Sequence, residues 1–263
     1  METKEILGNY YGNYDEDGRL RSRHGMVEFL TTMRYVEKYL RPGVRILEIG
    51  AGTGRYSHTL ARLGYRVDAV ELLEHNIEIF KQNTQPGETV TITQGNAVDL
   101  SGFAGETYDI TLLLGPMYHL FTRDDQLKAL SEAVRVTKKG GIVVAAYCMG
   151  DASILSYGFV RGKVHEIIDK CMLDPVTFNT FSNPWDIFEL YRKEDIDRLR
   201  QQFPVTQLHF VATDGYTNHI RDTVDAMDEK TYEVYLNYHF ATCERQELVG
   251  YSHHTIDVFR KDG

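Results

Sequence analysis

Three glycines and an acid lie close together in the segment VRILEIGAGTGRYSHTLARLGYRVDAVE, residues 44–71. Gly50, Gly52 and Gly54 follow a short apolar run, and Glu71 follows a second one. Glycines adopt positive φ and let backbone N–H groups approach a ligand closely. An ionised carboxylate such as Glu71 can accept two strong hydrogen bonds from a diol. The pattern predicts a binding site for a nucleotide-type ligand.

The spacing of these glycines argues against two common nucleotide sites. A dinucleotide fingerprint needs the spacing G-x-G-x-x-G, and Arg55 stands where its third glycine would be. No Gly-Lys-Ser/Thr follows either, so a phosphate-binding P-loop is absent from this segment. An NAD-dependent reductase is therefore disfavoured.

Tyr118 and His119 are the leading candidates for catalysis, because they directly follow the apolar run that ends at Leu114. Histidine has an ordinary pKa near neutrality, which suits a general base. The alternatives for His119 are a helix cap or a packing contact with a bound base. Tyr118 would line the same pocket.

Strands alternating with helices are predicted to position these residues. An open α/β sheet binds its ligand at the carboxyl ends of its strands, where the glycine loop, Asn96-Ala97 and His119 all fall. The predicted strands are 44–49, 66–70, 89–94, 108–114, 142–147, 205–213 and 254–260, and the predicted helices are 27–40, 56–63, 75–82, 123–136, 193–203 and 221–240. This order implies a doubly wound, mostly parallel sheet.

The chain has 263 residues and a net charge of −9, which argues against a protein that coats nucleic acid. Cys148, Cys171 and Cys243 are isolated, so neither disulfides nor a cysteine zinc site is expected. The amino-terminal residues lack an apolar signal-peptide core, and no apolar run reaches the length of a membrane span. A cytoplasmic protein is expected.

The glycine segment resembles motif I of the class I S-adenosylmethionine (SAM) methyltransferases. That motif has the form hh(D/E)hGxGxG, where h is apolar, and it stands here at residues 46–54 as ILEIGAGTG. The resemblance is strong over residues 44–148. It implies a Rossmann-like, seven-stranded methyltransferase sheet whose last strand, 254–260, is antiparallel and inserted beside the sixth.

The resemblance also implies roles for individual residues. The acid Glu48 would orient the glycine loop, which would hold the amino-acid end of SAM, and Glu71 would bind the ribose hydroxyls. Asn96 stands where many members have Asp, and its amide oxygen can still accept from adenine. The complete predicted cofactor set is Glu48, Gly50, Ala51, Gly52, Gly54, Glu71, Leu72, Asn96, Ala97, Leu114, Gly115 and Tyr14.

Three further segments are candidates for a lid over the site. Residues 1–40 would form an arm and helix in which Tyr10, Tyr11 and Tyr14 close over the cofactor or simply pack. Residues 41–263 would form the SAM-binding domain, with insertions at about 150–190 and 215–250. The aromatic residues of 178–191 are expected to form the core of the lid rather than a cage for a cation.

The predicted function is methyl transfer from SAM to an oxygen or nitrogen of a small molecule. The (N/D/S)PP(Y/F) motif of enzymes that methylate adenine or glutamine amides does not occur at 114–118. The alternatives are methylation of protein or RNA and a SAM-binding module without catalysis. No metal is expected, because His253 and His254 would point to opposite faces of a strand.

Overall fold

A twisted sheet forms the centre of the computed structural model, which describes residues 3–11, 22–183 and 188–263. The strand order is β3-β2-β1-β4-β5-β8-β7, and β6 pairs with the end of β5. β8 is antiparallel to β5 and β7. The strands are β1 (Arg45–Ile49), β2 (Arg66–Glu71), β3 (Val90–Gln94), β4 (Tyr108–Leu113), β5 (Thr137–Met149), β6 (Leu190–Tyr191), β7 (Val205–Ala212) and β8 (His254–Lys261).

This architecture confirms the predicted α/β fold, including the antiparallel last strand between the fifth and seventh strands in chain order. The sheet has one more strand than expected, because residues 190–191 pair with Cys148 and Met149. β5 is also longer than predicted. Its early start at Thr137 is stabilised by pairing with Tyr108 and by a 2.6 Å hydrogen bond between the hydroxyls of Thr111 and Thr137.

Helices cover both faces of the sheet. None of the helices in the described residues combines the length and apolar character that crossing a membrane requires. The helices are α1 (Thr3–Tyr11), α2 (Arg23–Glu37), α3 (Arg55–Arg62), α4 (Glu74–Asn83), α5 (Arg123–Val136), α6 (Gly150–Ser153), α7 (Val164–Asp169), α8 (Lys193–Arg200), α9 (Arg221–Asp225), α10 (Glu229–Thr242) and α11 (Gln246–Val249).

Side-chain caps explain where two predicted helices differ from the observed ones. α2 begins four residues earlier than predicted because the Ser22 hydroxyl accepts a hydrogen bond from the Gly25 amide, at 3.1 Å. The predicted helix 221–240 is divided in two, and Asp228 caps the second part by accepting from the Thr231 amide. Caps satisfy amides that a helix start leaves without an intrahelical partner.

The central strands are buried on both faces, as the apolar sequence of β1 predicts. Ile46 and Leu47 point to opposite faces and neither is exposed. Two apolar clusters enclose the sheet, one containing Leu47, the other Ile46. This rigid layer fixes the strand ends that carry the candidate site.

A buried ion pair connects α8 to the inserted strand β8. The Arg200 guanidinium donates to the carboxylate of Asp257 at 2.7 Å, and the Asp257 side chain is fully buried. Gln207 of β7 donates to the same carboxylate at 2.7 Å. Burial raises the pKa of Asp257 in spite of these partners. The carboxylate therefore depends on Arg200 for its charge.

Replacing Arg200 alone is expected to destabilise the protein strongly. Arg200→Met leaves Asp257 as a buried charge without its cation, a change that typically costs about 3–5 kcal/mol. Urea denaturation at neutral pH measures this loss. Arg200→Met/Asp257→Asn is expected to recover most of it, because the amide keeps a partner in Gln207. Arg198→Met, which alters an exposed pair on the same helix, should cost no more than about 1 kcal/mol.

Candidate cofactor and acceptor site

The glycine loop after β1 is held against the ends of β2 and β4. The Gly50 and Ala51 amides donate to the Val70 carbonyl at 2.8 and 3.1 Å. A Cβ atom on Gly50 would lie 2.5 Å from the ring of Pro116. Gly50 has a φ of +78°, so both its conformation and this close approach require glycine.

Gly52 and Gly54 serve different purposes in this loop. A Cβ atom on Gly52 would meet no atom within 4 Å, and the residue lines the main cavity. Gly54 does not line that cavity. A Cβ atom there would lie 2.5 Å from His58 and 2.6 Å from Phe80, so Gly54 allows α3 to pack closely against α4. The structure thus gives Gly54 a packing role, and its contact with a cofactor stays a prediction.

Glu71 joins the glycine loop to the start of α4. Its carboxylate accepts from the Gly52 amide at 2.9 Å, from the Leu73 amide at 3.0 Å and from the Asn76 side chain at 3.2 Å. The residue is 6% exposed and lines the cavity. These three donors fix the carboxylate in one position at the carboxyl end of β2.

Glu48 is a buried acid beneath the same loop. It is 1% exposed, and its carboxylate accepts a short hydrogen bond from the Ser57 hydroxyl. Burial raises the pKa of Glu48 to about 8, and the nearby charge of Glu71 acts in the same direction. Glu48 makes no ion pair with the described residues, so a cationic group in the cavity would stabilise its charged form.

The loops after β3 and β4 complete the cavity wall. Asn96 accepts from the Val98 amide at 3.3 Å through its side-chain oxygen, which has a second lone pair for another donor. Gly115 begins the short 3₁₀ turn Pro116–His119. The rings of Tyr118 and His119 lie 4.9 Å apart, centre to centre, and both line the cavity.

This main cavity has a volume of about 600 Å³. Most of the residues predicted from the sequence line it together. Tyr14 lies outside the described residues, and Gly54 lies behind the wall. The predicted residues in the lining are Glu48, Gly50, Ala51, Gly52, Glu71, Leu72, Asn96, Ala97, Leu114, Gly115, Tyr118 and His119.

Glu28 and His254 line the same cavity and form a cluster with Asp214 that the sequence did not predict. Glu28 lies on α2, Asp214 just after β7 and His254 at the start of β8. The His254 Nδ1 atom lies 2.8 Å from the Asp214 carboxylate and 3.4 Å from that of Glu28. Because β8 is antiparallel, its first residue lies at the edge where the parallel strands end. The predicted antiparallel direction of the last strand could therefore have placed His254 at this edge.

Charges within this cluster compensate one another. Burial alone would lower the pKa of His254. Its pKa is nevertheless raised well above the ordinary value by the carboxylate of Glu28, the Cys148 thiol and the hydrogen bond to Asp214. Burial alone would raise the pKa of Asp214. Its pKa is held well below the usual range by hydrogen bonds from His254 and Ser252 and by the charge of His254. The charged imidazole therefore occupies the place that a cation between the two carboxylates would take.

A second cavity of about 450 Å³ adjoins the first. The two share three lining residues, Glu28, Tyr118 and His254. The amino-terminal helix α1 contacts both, because Leu7 lines the first cavity and Tyr10 the second. The arrangement offers a cofactor-sized site and a neighbouring site for a second molecule.

Comparison with known proteins identifies a domain within the chain. Residues 47–145 match a family model described as a methyltransferase domain. A ubiquinone biosynthesis O-methyltransferase from Methylocella silvestris is 34% identical over 128 residues, which are 48% of each chain. The chain thus covers about half the length of this curated relative.

Solved structures share the fold. A SAM-dependent methyltransferase from Methanosarcina mazei superposes with a TM-score of 0.58 at 17% identity, covering 87% of this chain and 97% of the other. A protein from Pyrococcus horikoshii superposes with a TM-score of 0.61 at 14% identity, covering 97% and 99%. Residues 47–145 thus match a methyltransferase domain, and the chain shares the fold of these solved structures.

Proposed function

We propose that the protein transfers the methyl group of SAM to an oxygen or nitrogen atom of a small molecule. The observation that supports this most directly is the pairing of two cavities. One is lined by the predicted cofactor residues, and the second shares Glu28, Tyr118 and His254 with it. The name of the relative from Methylocella silvestris, a ubiquinone biosynthesis O-methyltransferase, favours a small-molecule acceptor.

The residues of the first cavity fit SAM chemically. The open space beside Gly52 admits the amino-acid end of the cofactor, and the Glu71 carboxylate has acceptor capacity left for a ribose hydroxyl. The second lone pair of the Asn96 oxygen suits the adenine amino group. Glu48 lacks an ion-pair partner among the described residues, which suits a ligand that carries a positive charge. When bound, SAM supplies an electrophilic methyl group on a sulfonium.

The protein's own contribution is to align the acceptor, exclude water and take up a proton. In the proposed reaction the residues of the first cavity would hold SAM, which would supply its methyl group to the acceptor atom and leave as S-adenosylhomocysteine. The acceptor's proton passes to His119, the proposed base, and Tyr118 holds the acceptor beside it. The ring of Phe188 packs against that of His119, with ring centres 5.5 Å apart.

We further propose that α1 and the two insertions form a lid. Leu7 on α1 lines the first cavity. Tyr10 on α1 and Phe188 in the first insertion line the second. Closure over a bound cofactor would exclude water from the sulfonium. The proposed roles of Tyr14 and Tyr11 in this lid concern side chains outside the described part of the structure.

Glu71→Ala is expected to weaken SAM binding by about 1–3 kcal/mol, because a charged hydrogen-bond partner is lost. Isothermal calorimetry with SAM and S-adenosylhomocysteine measures the change. Asn76→Ala removes one of the groups that position Glu71 and should have a smaller effect, and the exposed Glu74→Ala should have none. An affinity of the Glu71→Ala variant equal to wild type would place the ribose elsewhere.

Binding of SAM at pH 7 is expected to release close to one proton from Glu48. The acid, with its pKa of about 8, is mostly protonated in the free protein, and a cationic ligand lowers that pKa. Calorimetry in buffers of different ionisation enthalpy counts the protons released. Glu48→Gln should abolish the release, whereas the exposed Glu78→Gln should not. If the amino group of the cofactor is the responsible cation, S-adenosylhomocysteine will release the same number.

The same raised pKa predicts a pH dependence of stability without ligand. The stabilising effect of a neutral Glu48 is complete below its ordinary pKa of 4.5 and is lost as the pH rises through about 8. The Glu48→Gln variant should therefore show a flatter stability profile over this range in thermal unfolding.

Methyl-labelled SAM tests the proposed activity. Label is expected in small molecules from a metabolite extract, and not in protein or RNA fractions. His119→Gln should lower the turnover number about 10²–10⁴-fold with SAM affinity retained, as loss of a general base does. Label in protein or RNA would redirect the assignment to a macromolecular acceptor. Tight SAM binding without label in any fraction would identify a SAM-binding module.

A further inference from the structure

We infer that the acceptor is an anionic aromatic molecule whose negatively charged group is bound by Arg161 and Arg221 in the second cavity. This inference names the substrate class of the site and therefore rests on the proposed function. Both arginines line the second cavity, and neither lines the cofactor cavity.

The position of the second cavity sets the orientation of the acceptor. Glu28, Tyr118 and His254 border both cavities, so the reacting end of the acceptor must lie beside them. Arg161 and Arg221 belong to the part of the wall that the cofactor cavity does not share. A molecule with a nucleophile at one end and a charged group at the other fits this arrangement.

The junction of the cavities contains one cationic group and two acids. His254 is the cationic member of its cluster, and Glu28 and Asp214 are the acids on either side of it. Asp214 is anchored further by the Ser252 hydroxyl at 2.5 Å and by Asn218 at 2.6 Å. The junction therefore offers no uncompensated cation to an acceptor.

The remaining wall of the second cavity carries excess positive charge. Arg161 has no side-chain hydrogen bond or ion pair to the described residues. Arg221 lies near Asp225, but that carboxylate already accepts from the amide and the imidazole of His24, at 3.0 and 2.7 Å. Glu28 is the one acid among the described residues of the lining. The chain as a whole has a net charge of −9, so two guanidinium groups in one cavity wall stand out. They favour a ligand that carries a carboxylate or phosphate group.

Aromatic side chains form the apolar part of the same cavity. Tyr10, Tyr118 and Phe188 line it, and Phe188 packs edge-on against Tyr10 with ring centres 5.9 Å apart. The rings of Phe188 and Tyr118 are 6.0 Å apart. Ring faces and edges of this kind favour a planar acceptor body, since aromatic pairs contribute stabilisation beyond the area they bury.

Fractionation of a metabolite extract by charge tests this inference while the acceptor itself is unidentified. The extract is passed over an anion exchanger at pH 7, and the retained and unretained fractions are each incubated with the protein and methyl-labelled SAM. Label is expected from the retained fraction. Label only from the unretained fraction would overturn the inference while leaving the proposed function intact. Absence of label from both fractions would overturn the proposed function as well.

Variants then locate the charge recognition. Arg161→Gln and Arg221→Gln are each expected to raise KM for the retained-fraction acceptor about tenfold, while kcat changes less than threefold and SAM affinity stays the same. Arg161→Lys and Arg221→Lys should restore part of the loss. Arg66→Gln, which changes an exposed arginine outside both cavities, is the matched control. An unchanged KM in both glutamine variants would place the anion-binding group elsewhere.

Discussion

The carboxylate of Glu71 is the point on which the cofactor side of the structure depends. It accepts hydrogen bonds from the glycine loop after β1 and from the first turn beyond β2. It therefore holds these two loops at a fixed distance from each other. The glycine loop needs its glycines, because a Cβ atom on Gly50 would clash with Pro116 and one on Gly54 would clash with Phe80. Under the proposed function, binding and folding use the same side chain, and a cofactor would meet a site that is already assembled.

Sequence patterns predicted the sheet almost completely because each parallel strand is a short apolar run followed by a turn. They could not predict the two-residue strand β6, since pairing of Leu190 and Tyr191 with β5 is set by tertiary contact. The observed helix starts differ from the predicted ones where a capping side chain, and not the apolar periodicity, sets the first residue. Ser22 and Asp228 are the two examples. The long-range ion pair of Arg200 and Asp257 carries no local sequence signal at all.

The cofactor wall was predictable because motif I and the strand-end acid lie within thirty residues of one another. The proposed acceptor side could not be predicted in this way, because its residues come from distant parts of the chain. Glu28, Asp214 and His254 meet only through the crossing of α2, β7 and β8. Gly54 illustrates the converse case: its place in the motif suggested a ligand contact, and its neighbours instead show a packing constraint.

The inserted antiparallel strand has a consequence for the order in which the protein assembles. β1, β2 and β3 pair across short separations, as Arg45 with Arg66 and Val67 with Val90 show, so the part that carries the glycine loop can organise early. β5 and β7 acquire their common neighbour only when residues 254–261 enter between them. Because His254 is the first residue of that strand, the acceptor half is completed by a segment that is synthesised after every other strand of the sheet. Under the proposed function, a growing chain would contain the whole glycine loop before it contained His254, the residue at which the two cavities meet.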